Sequence, residues 1–189
     1  MKIPIILLMG PSASGKTTLA DLVSSEFNYL HIDFDLWGGD TEEIQPFKKA
    51  WEIFKNDHTI SELQTVVKET VAAENKAGAI LSFPSDDMVV ERRLIEIATE
   101  AGVCPVYLYA PAEKCLETFI AREKVNGRGL PVEHWQKCNA HIYKTDYLTQ
   151  FHQPYVLSAY TPEPESIRKT KTALLSELMS RIDNTYGKN

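Results

Sequence analysis

The chain has no clustered basic stripe, no apolar run of membrane-spanning length and no closely paired cysteines, and each lack excludes something. A duplex-binding surface announces itself as a basic stripe. Here 20 Lys and Arg stand against 26 Asp and Glu, for a net charge of −6 with no long run of either sign. Duplex nucleic acid is therefore not an expected partner. A bilayer span takes about 20 consecutive apolar residues, and "MKIPIILLM" is also too short for a secretory signal. No membrane association is expected. Cys104, Cys115 and Cys138 are odd in number and form no C-x-x-C pair, the pattern of reduced thiols in a cytoplasmic protein. His31, His58, His134, His141 and His152 are scattered without metal-ligand spacing and are assigned no chemistry. Neither repeat nor linker divides the sequence, and 189 residues suit a single domain, 1–189.

What is present begins at residue 6 with "ILLMGPSASGKTTLA". Gly10-Pro11-Ser12-Ala13-Ser14-Gly15-Lys16-Thr17 fits G-x-x-x-x-G-K-[ST] at every fixed position. An apolar run of strand type precedes it, and a helical pattern with Leu19, Leu22, Val23 and Phe27 on one face follows. Such a loop turns successive backbone N–H groups, with those opening the next helix, toward an anion. The predicted nucleotide contacts are Gly10, Ser12, Ala13, Ser14, Gly15, Lys16, Thr17 and Thr18. Lys16 reaches the terminal phosphates, and the Thr17 hydroxyl is a magnesium ligand.

Apolar runs at 3–9, 28–32, 79–83, 104–109 and 154–158 read as strands with helical patterns between them. Thr59-x-x-Glu62 is a capping-box candidate before Leu63, Val66, Val67 and Val71, with Gly78 as the stop. "DDMVVERRLIEIATEAG" ends at Gly102, and Pro111 opens a helix carrying Leu116, Phe119 and Ile120. Ile167, Leu174, Leu178 and Ile182 form a C-terminal stripe, and Phe47, Ala50, Trp51 and Phe54 a core stripe. Alternating strands and helices imply an α/β protein: a five-stranded parallel sheet covered on both faces, with ligands beyond the strands' carboxyl ends.

At such an end lies "HIDFDLWGGD". Asp33 and Asp35 are two apart, so in extended backbone their side chains point the same way. Beside a metal–triphosphate complex, one carboxylate can hold Mg²⁺ and the other accept a proton from an attacking hydroxyl.

The phosphate loop, the D-x-D after strand two and the chain length resemble small-molecule P-loop kinases of the adenylate-kinase-like superfamily, such as shikimate and gluconate kinases and chloramphenicol phosphotransferase. That resemblance implies a three-layer P-loop NTPase fold with a lid, using ATP and Mg²⁺. It gives Asp33 the metal role and Asp35 the acceptor role. One departure is plain: shikimate kinases carry a triple glycine after strand three, where this chain reads "LSFPSDD".

"FIAREKVNGRGLPVEHW" supplies a lid at about 122–135, with Asn126-Gly127-Arg128-Gly129 as its flexible part. The superfamily places arginines in this loop, which makes Arg128 the first choice for stabilising the transferred phosphoryl group and Arg122 the second. The region 36–77 covers the acceptor side, with Trp37 a candidate acceptor contact. "SAYTPEPE" after strand five is the candidate adenine loop.

The expected function is phosphoryl transfer from ATP to a hydroxyl of a small molecule. A nucleoside monophosphate kinase is the second reading, but it needs arginines on the acceptor phosphate, and none occurs between residues 30 and 75. A nucleotide-dependent switch or ATPase is the third. A GTPase switch is excluded by the lack of an N-K-x-D stretch, while Asp86 or Asp87 keeps an ATPase open. The sequence is silent on the acceptor's identity and on oligomeric state.

Overall fold

The computed structural model describes residues 2–34, 42–82, 92–127, 131–140, 143, 155–162 and 165–187. Five strands, β1 (Ile5–Met9), β2 (Tyr29–Asp33), β3 (Gly78–Ser82), β4 (Cys104–Tyr109) and β5 (Val156–Ser158), form a parallel sheet in the order β2-β3-β1-β4-β5. The described helices are α1 (Lys16–Phe27), α2 (Gln45–Asp57), α3 (Ser61–Ala73), α4 (Arg92–Glu100), α5 (Ala112–Asn126), α6 (Val132–Asn139) and α7 (Lys171–Tyr186). Each of the five expected strands is present, displaced by at most two residues at an end.

Period-two alternation in β1 explains the layering. Ile5, Leu7 and Met9 point to one face, where α2, α3 and α4 bury Trp51, Phe54, Leu63, Val67 and Leu94 over them. Ile6 and Leu8 point to the other, under Leu19, Val23, Phe119, Leu174 and Leu178 of α1, α5 and α7. A strand covered on both faces must be apolar throughout, and all five β1 residues are buried. β1 lies between β3 and β4, Leu7 pairing with Leu81 on one side and Pro105 on the other. The loop after β1 therefore emerges at the middle of the sheet's carboxyl edge.

The α2 stripe is buried as expected at Phe47, Ala50, Trp51 and Phe54. Trp51 meets the rings of Phe34 and Phe54 at centroid distances of 6.0 and 5.4 Å. Other local expectations are corrected. The capping box does not form: Ile60 is the N-cap of α3, and the Thr59 hydroxyl donates to the Asp57 carbonyl at 3.2 Å. Gly78 opens β3 rather than stopping α3, which already ends at Ala73, and it is glycine because a Cβ there would lie 2.7 Å from the Tyr29 ring. On α5 the buried stripe runs through Cys115, Phe119 and Glu123, leaving Ile120 exposed. Ile167 precedes α7 and is exposed, so only Leu174, Leu178 and Ile182 form the C-terminal stripe. Phe27 likewise sits at the last position of α1, exposed. Each miss is a helix boundary or phase that a neighbouring element sets.

Arg181, Thr185 and Tyr186 tie α7 to strands β5, β4 and β1 of the sheet, and Tyr186 makes two of these bonds. The Tyr186 hydroxyl accepts from Ile5 N–H at 3.1 Å and donates to Ile5 C=O at 3.0 Å. Burial pushes its pKa up to about 12. A raised phenol pKa favours the folded state below the unfolded value of roughly 10, and that contribution is lost as pH climbs through the folded value. Tyr186→Phe is expected to cost about 1–2 kcal/mol at pH 7. It should also shrink the loss of stability between pH 10 and 12, as read by urea unfolding at a series of pH values. Burial also raises the Cys104 and Cys115 thiol pKa values, which keeps both thiols protonated and unreactive at neutral pH.

Candidate active site

The loop between β1 and α1 is wound as the glycine spacing demands. Gly10 has φ 144° and Gly15 φ 107°, and Ala13 takes a left-handed φ of 68° that a non-glycine residue adopts at a cost. No side chain caps α1, so the backbone N–H groups opening it face the loop's concavity. Lys16 is buried, and its ammonium donates to the Gly10 and Pro11 carbonyls at 3.0 and 3.1 Å, bridging the loop. Ser14 is also buried, its hydroxyl directed inward.

Both backbone groups of Ser12 are held from α6, which sequence reasoning missed. Its N–H donates to Asn139 Oδ1 at 2.9 Å, and its carbonyl accepts from Trp135 Nε1 at 3.2 Å. The Asn139 amide in turn donates to the Trp135 carbonyl at 2.7 Å, which fixes its orientation. Ser12 was expected to offer its N–H to phosphate; in this arrangement that donor is committed to Asn139. No local pattern reveals the pairing, because 127 residues separate the partners.

Cations gather on one side of the loop. A cavity of about 280 Å³ is lined by Gly15, Lys16, Thr18, Arg122 and Arg168 among others. Arg122, the second choice from the sequence, lies there with its guanidinium 5.5 Å from the Phe119 ring centroid and its Nε 3.3 Å from Glu123 Oε1. Arg168 was missed. It lies three residues past the end of "SAYTPEPE" and pairs back on Tyr160 in an antiparallel bridge. That turn carries its guanidinium over the loop, Nη2 standing 2.8 Å from where a Gly15 Cβ would be. Arg128, Asp35 and Trp37 lie outside the described residues, as do Asp86 and Asp87.

The acids gather on the other side. Thr17 Oγ1 donates to Asp33 Oδ2 at 3.3 Å, so the first aspartate of the D-x-D faces the phosphate loop. A hydroxyl and a carboxylate side by side are hard oxygen donors that fit Mg²⁺, whose remaining ligands are commonly water and phosphate oxygens. His31, two residues before Asp33 on the same side of β2, was assigned no chemistry. It joins a polar chain: Nδ1 is 2.8 Å from Asp21 Oδ1 and Nε2 is 3.0 Å from Ser82 Oγ. Ser82 is fully buried at the end of β3, in register with Asp33. The spacing of His31 from Asp33 was the available signal; Asp21 and Ser82 required the fold. Next to Thr17 and Asp33 opens a second cavity, of about 850 Å³, between β2 and the ends of α2 and α3.

Comparison with known proteins fits this geometry. A family described as an AAA domain matches residues 5–145, the phosphate loop, β2 and β3 included. The chain belongs to that AAA domain family. An adenylate kinase from Solidesulfovibrio magneticus is 29% identical over 133 residues, which cover 66% of this chain and 56% of the relative. The match thus spans about half of the relative's length. Among solved structures, a shikimate kinase from Bacteroides thetaiotaomicron superposes with a TM-score of 0.55 at 16% identity, covering 96% of this chain and 99% of the other. A gluconokinase from Sinorhizobium meliloti gives 0.51 at 12% identity, over 96% and 92%. The tunicamycin resistance protein of Deinococcus radiodurans gives 0.52 at 14% identity, over 96% of each chain. At these identities the likeness is one of fold: this AAA domain protein has the architecture of the P-loop kinases that its motifs resemble.

Proposed function

We propose that the protein transfers the γ-phosphoryl group of ATP, with Mg²⁺, to a hydroxyl of a small-molecule acceptor. One observation carries the reading: Thr17 and Asp33 meet at 3.3 Å where the cation-lined cavity and the larger acidic cavity adjoin. The phosphates lie against the first, the acceptor in the second. Bound there, Mg²⁺ would neutralise phosphate charge and polarise the bond to the leaving oxygen. Lys16 holds the terminal phosphates, Thr17 and Asp33 hold the ion, and Arg122, Arg168 and the lid's Arg128 balance charge on the moving group. Asp35 takes the acceptor's hydroxyl proton as the new O–P bond forms and the bond to ADP breaks. Trp37 packs on the acceptor. Closure of the lid excludes water, which would otherwise compete as acceptor.

The transition state of such transfers is loose, so proton removal comes late and the base contributes at the low end of general-base effects. Asp35→Asn is expected to lower acceptor-stimulated ADP release about 100-fold while leaving ATP affinity within about twofold. Nucleotide titration and a product assay on the same sample check it; turnover near wild type removes Asp35 from the mechanism. A nucleoside monophosphate kinase would need cations around the acceptor phosphate, whereas no Lys or Arg lines the larger cavity among the described residues.

A further inference from the structure

We infer that Trp135 and Asn139 of α6 are positioning residues for nucleotide binding. They hold the phosphate loop in its binding shape before any phosphate arrives, and bound nucleotide in return holds α6 against the loop. The inference rests on the nucleotide-binding part of the phosphotransferase reading and adds to it an element outside the motif.

Most of the loop's polar groups are satisfied from within. Lys16 Nζ bonds the Gly10 and Pro11 carbonyls, Ser14 N–H donates to the Pro11 carbonyl at 3.2 Å, and Leu19 N–H donates to the Gly15 carbonyl at 3.0 Å. All of these partners lie in the motif and the first turn of α1. Ser12 differs, because both of its backbone groups are taken by α6, across 127 and 123 residues of chain. The N–H groups that open α1 remain for phosphate.

The loop needs support at this point. Ala13, next to Ser12, holds a left-handed φ of 68° without being glycine. Such a dihedral persists only where the surroundings over-determine it. Fixing the N–H and the carbonyl of the preceding residue supplies that constraint while no ligand is bound.

The contact is also closed on itself. Asn139 is 1% exposed and Trp135 5%, and a buried amide is unfavourable unless both its ends are bonded. Asn139 meets this condition with Oδ1 on the Ser12 N–H and Nδ2 on the Trp135 carbonyl, which leaves the side chain one orientation. Trp135 Nε1 completes the set on the Ser12 carbonyl, and its ring lies 5.9 Å from that of Tyr143. A fully satisfied buried network of this kind specifies one arrangement. Helix stability alone does not call for Asn139, since leucine has the higher propensity and is buried without a partner.

A loop already wound loses less freedom when nucleotide binds, and apparent affinity scales with the fraction of molecules in the competent shape. Linkage makes the effect reciprocal: nucleotide that favours the wound loop favours docked α6 by the same factor.

Two variants and a control test the inference. Asn139→Leu removes the acceptor and keeps the volume, and Trp135→Phe removes only the Nε1 donor and keeps a ring in place. Tyr186→Phe is the control, because the hydroxyl it deletes bonds both backbone groups of Ile5, at the other end of the same strand. Affinities for ATP and ADP are measured by titration calorimetry with Mg²⁺, stability by urea unfolding, and amide protection by hydrogen exchange. Asn139→Leu is expected to weaken ATP and ADP alike about five- to tenfold, and Trp135→Phe about two- to fivefold. Tyr186→Phe should lose stability and leave both affinities unchanged. Turnover at saturating ATP should stay within about threefold in the α6 variants, because the lost binding is common to ground and transition states. In the nucleotide-free protein the Ser12 amide should exchange faster in Asn139→Leu than in wild type, and ADP should slow exchange along α6 in the wild type. Folded Asn139→Leu with affinities within about twofold of wild type would overturn the inference. So would an equal loss of affinity in Tyr186→Phe, or α6 exchange that ignores ADP. The expected affinities without any phosphorylated product uphold the role of α6 and sink only the phosphotransferase reading, whereas a wild-type protein that binds neither nucleotide sinks both.

Discussion

Lys16→Met is expected to lower phosphoryl transfer about 1000-fold while the protein stays folded. Methionine keeps most of the lysine's length and apolar stem, so the buried site at the loop remains filled. What disappears is a positive charge in a place where water is largely excluded and the transition state gathers negative charge. Preorganised groups of this kind commonly contribute factors of about 10² to 10⁵. The two carbonyls that Lys16 bridges, of Gly10 and Pro11, lose a donor, so some loop stability goes as well. Circular dichroism and urea unfolding report the fold, and acceptor-stimulated ADP release reports the chemistry. Activity within tenfold of wild type would remove Lys16 from the phosphate-binding role.

Gly10→Ala is the second large effect, and it acts through the backbone. A methyl group at this position would sit 2.4 Å from the Leu108 carbonyl oxygen, deep inside any allowed contact. At φ 144° the residue also occupies a region that only glycine enters without strain. Overpacking against a main-chain atom and dihedral strain together are expected to cost about 3–5 kcal/mol. The loop would have to shift away from β4, which moves the α1 amino end and Lys16 with it. Nucleotide affinity should therefore fall with stability. Comparing the urea midpoint with an ATP titration distinguishes this from Lys16→Met, which lowers the first far less and damages turnover.

Features confined to neighbouring residues were legible without coordinates. The glycine spacing from Gly10 to Thr17, the apolar strands and the α2 stripe all depend on local dihedral preference and periodicity. The place of Asp33 at the carboxyl end of the second strand is of the same kind, and the fold sets it beside Thr17. Helix ends were less legible, because tertiary contacts set them: Ile60 displaced the expected cap at Thr59, and the Tyr29 ring gave Gly78 a different reason to be glycine.

The sequence by itself determined that a strand would run into an anion-binding loop, that an acidic pair would follow the second strand, and that the sheet would be parallel and covered on both sides. Periodicity and glycine spacing are properties of adjacent residues, and they survive being read one letter at a time. Only the tertiary structure decided that Arg168 reaches over Gly15, that Asn139 and Trp135 hold Ser12, and that His31 links Asp21 to Ser82. Those groups come from elements far apart in the chain, and their meeting is fixed by strand order and helix packing, which no local pattern encodes.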